Sequence, residues 1–139
     1  MATISYGLGQ TIVNLHFEQG NEFVATLQCA AARRFDLGKG FFLTLAGHGD
    51  DGQSVTRANW ISAGTPLQFI YDTEDLYGNP VDTVIVQDEV VDSFLSAMDN
   101  AIGVVWGFSI EQQAYVPFMT EEHAAEAERR RQQPTSSEN

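Results

Sequence analysis

Apolar and polar residues alternate near the start of the chain. In residues 11 to 18, TIVNLHFE, the side chains of Val13, Leu15 and Phe17 lie on one side and the polar side chains between them on the other. This two-residue period predicts a half-buried strand.

A helical period follows the turn QGN. Residues 22 to 35 carry apolar side chains at helical spacing and a run of alanines, which favour helix strongly. Asn21 is a suitable N-cap and Gly38 a suitable stop, so we predict a helix here. An antiparallel hairpin is the alternative interpretation, because four residues of the same stretch also alternate: Phe23, Ala25, Leu27 and Cys29.

The middle of the chain combines β-forming runs with turn-forming sequence. Phe41 to Ala46 is a continuous apolar run, which predicts a strand buried on both faces. Residues 48 to 65 are rich in turn formers, and we expect a loop there. The runs PLQFIYD, residues 66 to 72, and VDTVIVQ, residues 81 to 87, predict two short strands joined as a hairpin with a long tip.

Two further helices and one strand are predicted in the last third of the chain. Residues 88 to 103 begin with acids, carry a helical apolar stripe and close at a glycine. Residues 104 to 110, VVWGFSI, predict a second buried strand. Residues 120 to 131 predict a surface helix with acids at its start and arginines at its end. The polar segment 132 to 139 is expected to be a mobile tail.

These elements together predict one small α/β domain that spans residues 1 to 131. The order strand, helix, strand is typical of a βαβ unit, so we expect a mainly parallel sheet with flanking helices and a β-hairpin insertion. The alternative is an α+β fold built from antiparallel hairpins.

The distribution of charge restricts the partners that the protein can bind. The chain has 19 acidic and 7 basic side chains, a formal net charge of −12, and no Lys or Arg between Arg57 and Arg129. Such a surface repels nucleic acids and anionic membranes and favours a basic protein or peptide partner. We therefore predict no binding to nucleic acid or to membranes, and no apolar run is long enough to predict a membrane helix.

The cysteine content excludes further classes of protein. Cys29 is the single cysteine, which excludes an internal disulfide and any zinc site that needs several thiolates. The N-terminus resembles no secretion signal, so we expect a cytoplasmic protein. We predict no cofactor and no metal site. The unpaired edges of so small a sheet favour a homo-oligomer as one alternative.

His48 is the clearest candidate for chemistry, because it ends the apolar run FFLTLAGHG between two glycines. Ligands of α/β folds bind outside the carboxyl ends of parallel strands, and glycines there leave room for a substrate. A strand that simply ends in a turn accounts for the same pattern. Asp50 and Asp51 lie close enough in sequence to orient an imidazole, although turns also select aspartate for local hydrogen bonds.

The stretch AAARRFDLGKGFFLTLAGHGDDGQ, residues 30 to 53, resembles the caspase and metacaspase family of cysteine peptidases. In that family a helix leads through a polar turn into a buried strand that ends in a Ser-Gly-His-Gly-like signature. The resemblance implies that His48 matches the catalytic histidine. The acidic helix beginning DEVV and the strand GVVWGFS follow in an order similar to that of the family.

The position of the nucleophile departs from the family's pattern. The strand GVVWGFS, residues 103 to 109, would end in an Asp-x-Cys-like motif, but the chain has no cysteine after Cys29. The resemblance therefore implies a shortened, non-catalytic relative. Ser109 could replace the nucleophile only with an oriented base and an oxyanion site, for which the sequence gives no evidence.

Three functions compete at this point. The first is a non-catalytic caspase-like regulatory domain that binds a protein or peptide near Asp50, Asp51 and Trp60. The second is a small acidic interaction protein of unrelated fold, such as an inhibitor, an immunity protein or an assembly subunit, that binds a basic partner. The third is a hydrolase that uses His48 with Ser109.

Overall fold

A computed structural model of the protein describes residues 1–9, 12–17, 19–48, 51–106 and 118–132, without the side chains of residues 48, 54, 123, 127 and 130. The helices and strands of the described residues are, in chain order, β1 (Ala2–Tyr6), β2 (Val13–Phe17), α1 (Asn21–Asp36), β3 (Phe41–His48), β4 (Ser54–Ile61), β5 (Leu67–Ile70), α2 (Asp88–Met98), β6 (Val104–Trp106) and α3 (Glu121–Gln132).

The strands form two three-stranded sheets. The first has the order β2-β1-β5, and both of its pairings are antiparallel. The second has the order β4-β3-β6, in which β3 is antiparallel to β4 and parallel to β6. The prediction of a mainly parallel α/β sheet is therefore wrong. The fold belongs to the α+β class, which was the alternative.

Two strands that the sequence did not predict account for this correction. Strand β1 lies in the first residues of the chain and occupies the centre of the first sheet, where Ala2 and Ile4 are fully buried. Strand β4 falls within the predicted loop of residues 48 to 65 and pairs with β3 over its full length. Each pairing is antiparallel, so the added strands change the class of the fold.

The helix predicted over residues 22 to 35 is confirmed as α1, and the hairpin alternative for this stretch is wrong. The predicted N-cap is also wrong, because Gly20 precedes the helix and Asn21 is its first residue. Gly38 has a φ of +71°, and its N–H donates to the Phe35 carbonyl at the end of the helix. The later helices are confirmed as α2 and α3.

One hydrophobic core joins both sheets to α1 and α2. Its fully buried side chains come from β1, β2, β3, β4, both helices and β6. Aromatic rings extend the core, since Phe23 of α1 lies with its centroid 4.7 Å from Trp106 and 5.4 Å from Phe94. The buried residues of the cluster are Ala2, Ile4, Phe17, Val24, Leu27, Ala30, Ala31, Phe41, Leu43, Ile61, Val91, Met98 and Val104.

Gly103 places β6 against β3. Its φ is +78°, and a Cβ at this position would lie 1.9 Å from the carbonyl oxygen of Phe42. The preceding residue is fixed as well, since the buried hydroxyl of Thr44 donates to the Ile102 carbonyl at 2.7 Å. Only glycine fits this close approach, so the parallel pairing depends on it.

Arg34 ties the end of α1 to two other elements. Its Nε donates to the Gly40 carbonyl at 2.9 Å, just before β3, and its Nη2 donates to the Met98 carbonyl at 3.0 Å, at the end of α2. The same guanidinium pairs with Asp99. The side chain is only 13% exposed, whereas that of the neighbouring Arg33 is 52% exposed and lies 3.6 Å or more from its acidic partners.

We expect Arg34→Lys to lower the free energy of unfolding by about 2 kcal/mol, because a lysine keeps the charge but its single nitrogen cannot replace both Nε and Nη2. Urea denaturation measures the effect. The matched substitution Arg33→Lys removes no described hydrogen bond, and we expect a change within about 0.5 kcal/mol. Equal losses for the two variants would contradict this role of Arg34.

Candidate functional site

His48 lies at the end of β3, where its backbone pairs with Ser54 of β4. Strands β3 and β4 therefore form an antiparallel hairpin. The side chain of His48 is not described, and Asp50 and Ser109 lie outside the described residues. One element of the predicted arrangement is present, since β3 and β6 are parallel neighbours.

The other predicted site residues lie apart from one another. Asp51 is exposed at the hairpin tip, where one carboxylate oxygen accepts the backbone N–H of Gln53 at 3.1 Å. Trp60 is 54% exposed and packs on Phe42 with a centroid distance of 4.9 Å. Trp60 lies at the opposite end of the same hairpin, roughly 20 Å away at the usual rise per residue of a strand. These residues do not form one site.

A small cleft of about 250 Å³ lies between the two sheets, and its lining includes His16, Arg57 and Asn59. The Nδ1 atom of His16 lies 3.0 Å from the Thr3 hydroxyl. The Tyr6 hydroxyl donates to Asn59 at 2.8 Å, and burial raises the pKa of Tyr6 above its ordinary value. The Tyr6–Asn59 hydrogen bond links the two sheets, whereas the Thr3–His16 contact lies within the first sheet, so these polar groups have structural partners.

A second, larger cleft of about 640 Å³ lies between the start of α1 and residues 72 to 85. Among the described residues, no Lys, Arg or His side chain lines it. We call it the acidic cleft, after the five carboxylates in its lining, which are Glu22, Asp72, Glu74, Asp75 and Asp82.

The floor of the acidic cleft is fixed by Asn21. Its side-chain amide donates to the backbone carbonyl of Asp72 at 2.8 Å, and its side-chain oxygen accepts the Asp72 N–H at 2.9 Å. The side-chain amide of Asn21 thus satisfies both backbone hydrogen-bonding groups of Asp72, as the backbone of a neighbouring strand would. The Asp72 carboxylate pairs with the α-ammonium group of Met1. This contact leaves four carboxylates of the cleft without a cation among the described residues.

A tight turn held by Asp75 forms the rim of the acidic cleft. One carboxylate oxygen of Asp75 accepts the N–H groups of Tyr77 at 2.8 Å and Asn79 at 2.9 Å. Gly78 takes the positive φ of +79° that the turn requires. The hydrogen bonds from Asn79 and Tyr77 hold the pKa of the Asp75 carboxyl below its ordinary value of 3.8.

Apolar side chains accompany the acids of this cleft. Leu76 is 79% exposed at the tip of the turn, and Ile85 is 78% exposed on the segment that leads to α2. Both line the acidic cleft. Exposed apolar groups beside unpaired charges are typical of surfaces that bind other proteins.

The sequence contained a signal for this site, but not its location. The stretch without Lys or Arg between Arg57 and Arg129 indicated a negative surface. Only the fold shows that Glu22, far from this stretch in sequence, joins the acids of residues 72 to 82. The contact between Asn21 and Asp72 brings them together, and it joins residues 51 positions apart.

Other features of the described residues add no catalytic group. No cluster of three or more His, Cys, Asp or Glu side chains among them is arranged to hold a metal ion. Cys29 is free and exposed on α1. None of the described helices has both the length and the apolar character needed to cross a membrane.

Comparisons with protein-family models, with curated proteins and with solved structures found no match for this chain.

We expect the amide resonances of Tyr77 and Asn79 to titrate together below pH 3.8, because protonation of Asp75 removes the charge of their shared acceptor and weakens both hydrogen bonds. A lowered pKa in the folded state means that the charged carboxylate stabilises the turn above pH 3.8. This stabilisation disappears as the pH falls through the lowered value. An NMR titration of the labelled protein measures the midpoint.

The matched variant is Asp75→Asn, which keeps a side-chain oxygen acceptor but does not titrate. We expect the transition at both amides to vanish in this variant. A midpoint at or above 3.8 in the wild-type protein would show that these hydrogen bonds do not hold the turn.

Proposed function

We propose that the protein is a non-catalytic binding protein whose acidic cleft receives a basic segment of a protein partner. The observation that carries this proposal concerns the described residues: in one cleft they place five carboxylates and exposed apolar side chains, and no basic side chain. This is the second of the three functions that the sequence allowed.

Electrostatics supports a basic occupant. Glu74 and Asp82 form no hydrogen bond or ion pair with the described residues, so both are available to an incoming cation. Unpaired carboxylates around a concave surface raise the local concentration of a positively charged partner and speed its association. The same charge disfavours nucleic acids, whose phosphates it repels.

Contact with the apolar side chains of the acidic cleft adds to the affinity that its carboxylates provide. Leu76 and Ile85 each expose more than three-quarters of their surface. Covering such a side chain stabilises a complex by roughly 1.5–3 kcal/mol. The rigid turn held by Asp75 presents Leu76 at little entropic cost. The partner segment is therefore expected to combine basic with apolar residues.

The caspase-like function remains a second proposal, and one observation favours it. Strand β3, which ends at His48, lies parallel to β6, as the resemblance implies. The chain has no cysteine after Cys29 to act as a nucleophile, and β3 also pairs antiparallel with β4. Peptide binding that is lost in His48→Ala but kept when the carboxylates of the acidic cleft are neutralised would favour this proposal over the acidic cleft, whereas peptide hydrolysis that is lost in His48→Ala would instead favour the third function, the hydrolase.

Neutralising two free acids tests the binding function. We expect Glu74→Gln combined with Asp82→Asn to weaken binding of a heptapeptide of alternating lysine and valine by about tenfold or more at low salt, because two attractive charges are lost. Fluorescence anisotropy of the labelled peptide measures the affinity.

The matched control is Glu121→Gln combined with Glu122→Gln, which removes the same net charge from the exposed start of α3. We expect this control to bind within about twofold of the wild-type protein. Equal losses in the two double variants would mean that net charge alone, rather than the acidic cleft, attracts the peptide.

A further inference from the structure

Residues 82 to 87, DTVIVQ, have the character of a strand but are not part of either sheet. Their composition is β-forming, and their burial alternates: Val84 and Val86 are half-buried, whereas Thr83, Ile85 and Gln87 are exposed. The strand predicted here from the sequence is therefore absent as a paired element, although its side-chain pattern is present.

The backbone of this segment lacks a hydrogen-bonded neighbour among the described residues. The segment is fixed at both ends, since the Val81 N–H donates to the Thr73 carbonyl at 3.1 Å and the Gln87 carbonyl accepts the N–H groups of Val90 and Val91. Between these anchors, no backbone hydrogen bond joins residues 82 to 86 to the described part of the chain.

Open space adjoins this backbone. The acidic cleft borders residues 81 to 85, and a further cleft of about 400 Å³ borders residues 81 to 84 near Ala25 and Tyr71. A peptide can therefore approach the segment without displacing a packed element. Unpaired backbone whose side chains alternate in burial, as those of a strand do, is a template for an added strand.

We infer that the basic partner binds in an extended conformation and adds as a strand along residues 82 to 86. This inference rests on the proposed binding function and specifies how the partner is held. Main-chain hydrogen bonds fix the register. Alternate side chains of the partner reach the carboxylates of Glu74 and Asp82 or cover Ile85.

Charge decides between a foreign peptide and a second copy of the chain. Pairing of two copies through this segment would bring together two acidic clefts on chains that each carry a formal net charge of −12. Like charges in such an interface are destabilising, whereas alternating lysines and apolar residues complement the cleft. The occupant is therefore a segment of alternating basic and apolar residues.

Alternate N-methylation of the lysine–valine heptapeptide tests this mode of binding. One peptide carries N-methyl groups at its odd positions and the other at its even positions, so each loses the N–H donors of one edge while keeping its charges. An added strand donates from one edge only. We expect one of the two peptides to lose at least tenfold in affinity while the other binds within about threefold of the unmodified peptide.

Amide hydrogen exchange of the protein gives an independent measurement. We expect the backbone amides on one edge of residues 82 to 86 to exchange rapidly in the free protein and at least tenfold more slowly with saturating unmodified peptide. Protection of these amides in the free protein at all concentrations, or protection that rises with protein concentration alone, would overturn the inference. The first outcome indicates pairing within the chain and the second indicates pairing between copies.

The outcomes separate this inference from the function on which it rests. If neither or both methylated peptides lose affinity while the loss in the Glu74 and Asp82 variant persists, the acidic cleft binds basic peptides but not by strand addition. If the unmodified peptide does not bind the wild-type protein, both the binding function and the strand addition are overturned.

Discussion

Burial of one face of α1 is the interaction on which the rest of the structure depends. Val24, Leu27, Ala30 and Ala31 of this helix are almost fully buried in the core that also contains residues of both sheets. Full burial of a side chain such as Val24 or Leu27 stabilises the folded state by roughly 1.5–3 kcal/mol. The two sheets share no strand, so the helix provides a common surface on which both can pack.

The same helix positions the acidic cleft through its polar contacts. At its start, Asn21 holds the backbone of Asp72, and further along Gln28 accepts a hydrogen bond from the Tyr71 hydroxyl. At its end, Arg34 holds the carbonyl that closes α2. Residues 72 to 87 thus run from Asp72, which Asn21 of α1 holds, to α2, whose last carbonyl Arg34 of α1 holds. This anchoring explains how a segment with a single isolated bridge, between Glu74 and Pro80, can form one wall of a cleft.

Much of the local structure could be predicted from the sequence, because helices and amphipathic strands depend on neighbouring residues. The period of residues 22 to 35 was sufficient to identify α1, and the alternation around Leu15 identified β2. Strand β4 was not identified, because Arg57 and Asn59 break its apolar pattern. The strand is stabilised instead by its hydrogen-bonded pairing with β3. Strand β1 is short and begins at Ala2, so it offered little period to detect.

The site was harder to predict than the fold, because it depends on contacts between residues that are far apart in the sequence. The two glycines beside His48 suggested a functional site, but β3 forms an antiparallel hairpin with β4, and turns between such strands also favour glycine. The strand predicted for VDTVIVQ is not among the strands of the structure, because a strand also needs a hydrogen-bonded partner, and the residues of this segment do not specify one. The acidic cleft depends on long-range contacts such as that between Asn21 and Asp72, which a pattern of residues cannot show.

The central claim is that the acidic cleft, rather than the end of β3 at His48, is the binding site. A titration of isotope-labelled protein with the lysine–valine heptapeptide, followed through backbone amide shifts, tests it most directly. The account predicts that the largest shifts occur at Glu22, Glu74, Leu76, Asp82 and Ile85, and that Gly47 and Asp51 at the hairpin tip are unchanged. Shifts concentrated at Gly47 and Asp51, or spread evenly over the acidic surface, would contradict it.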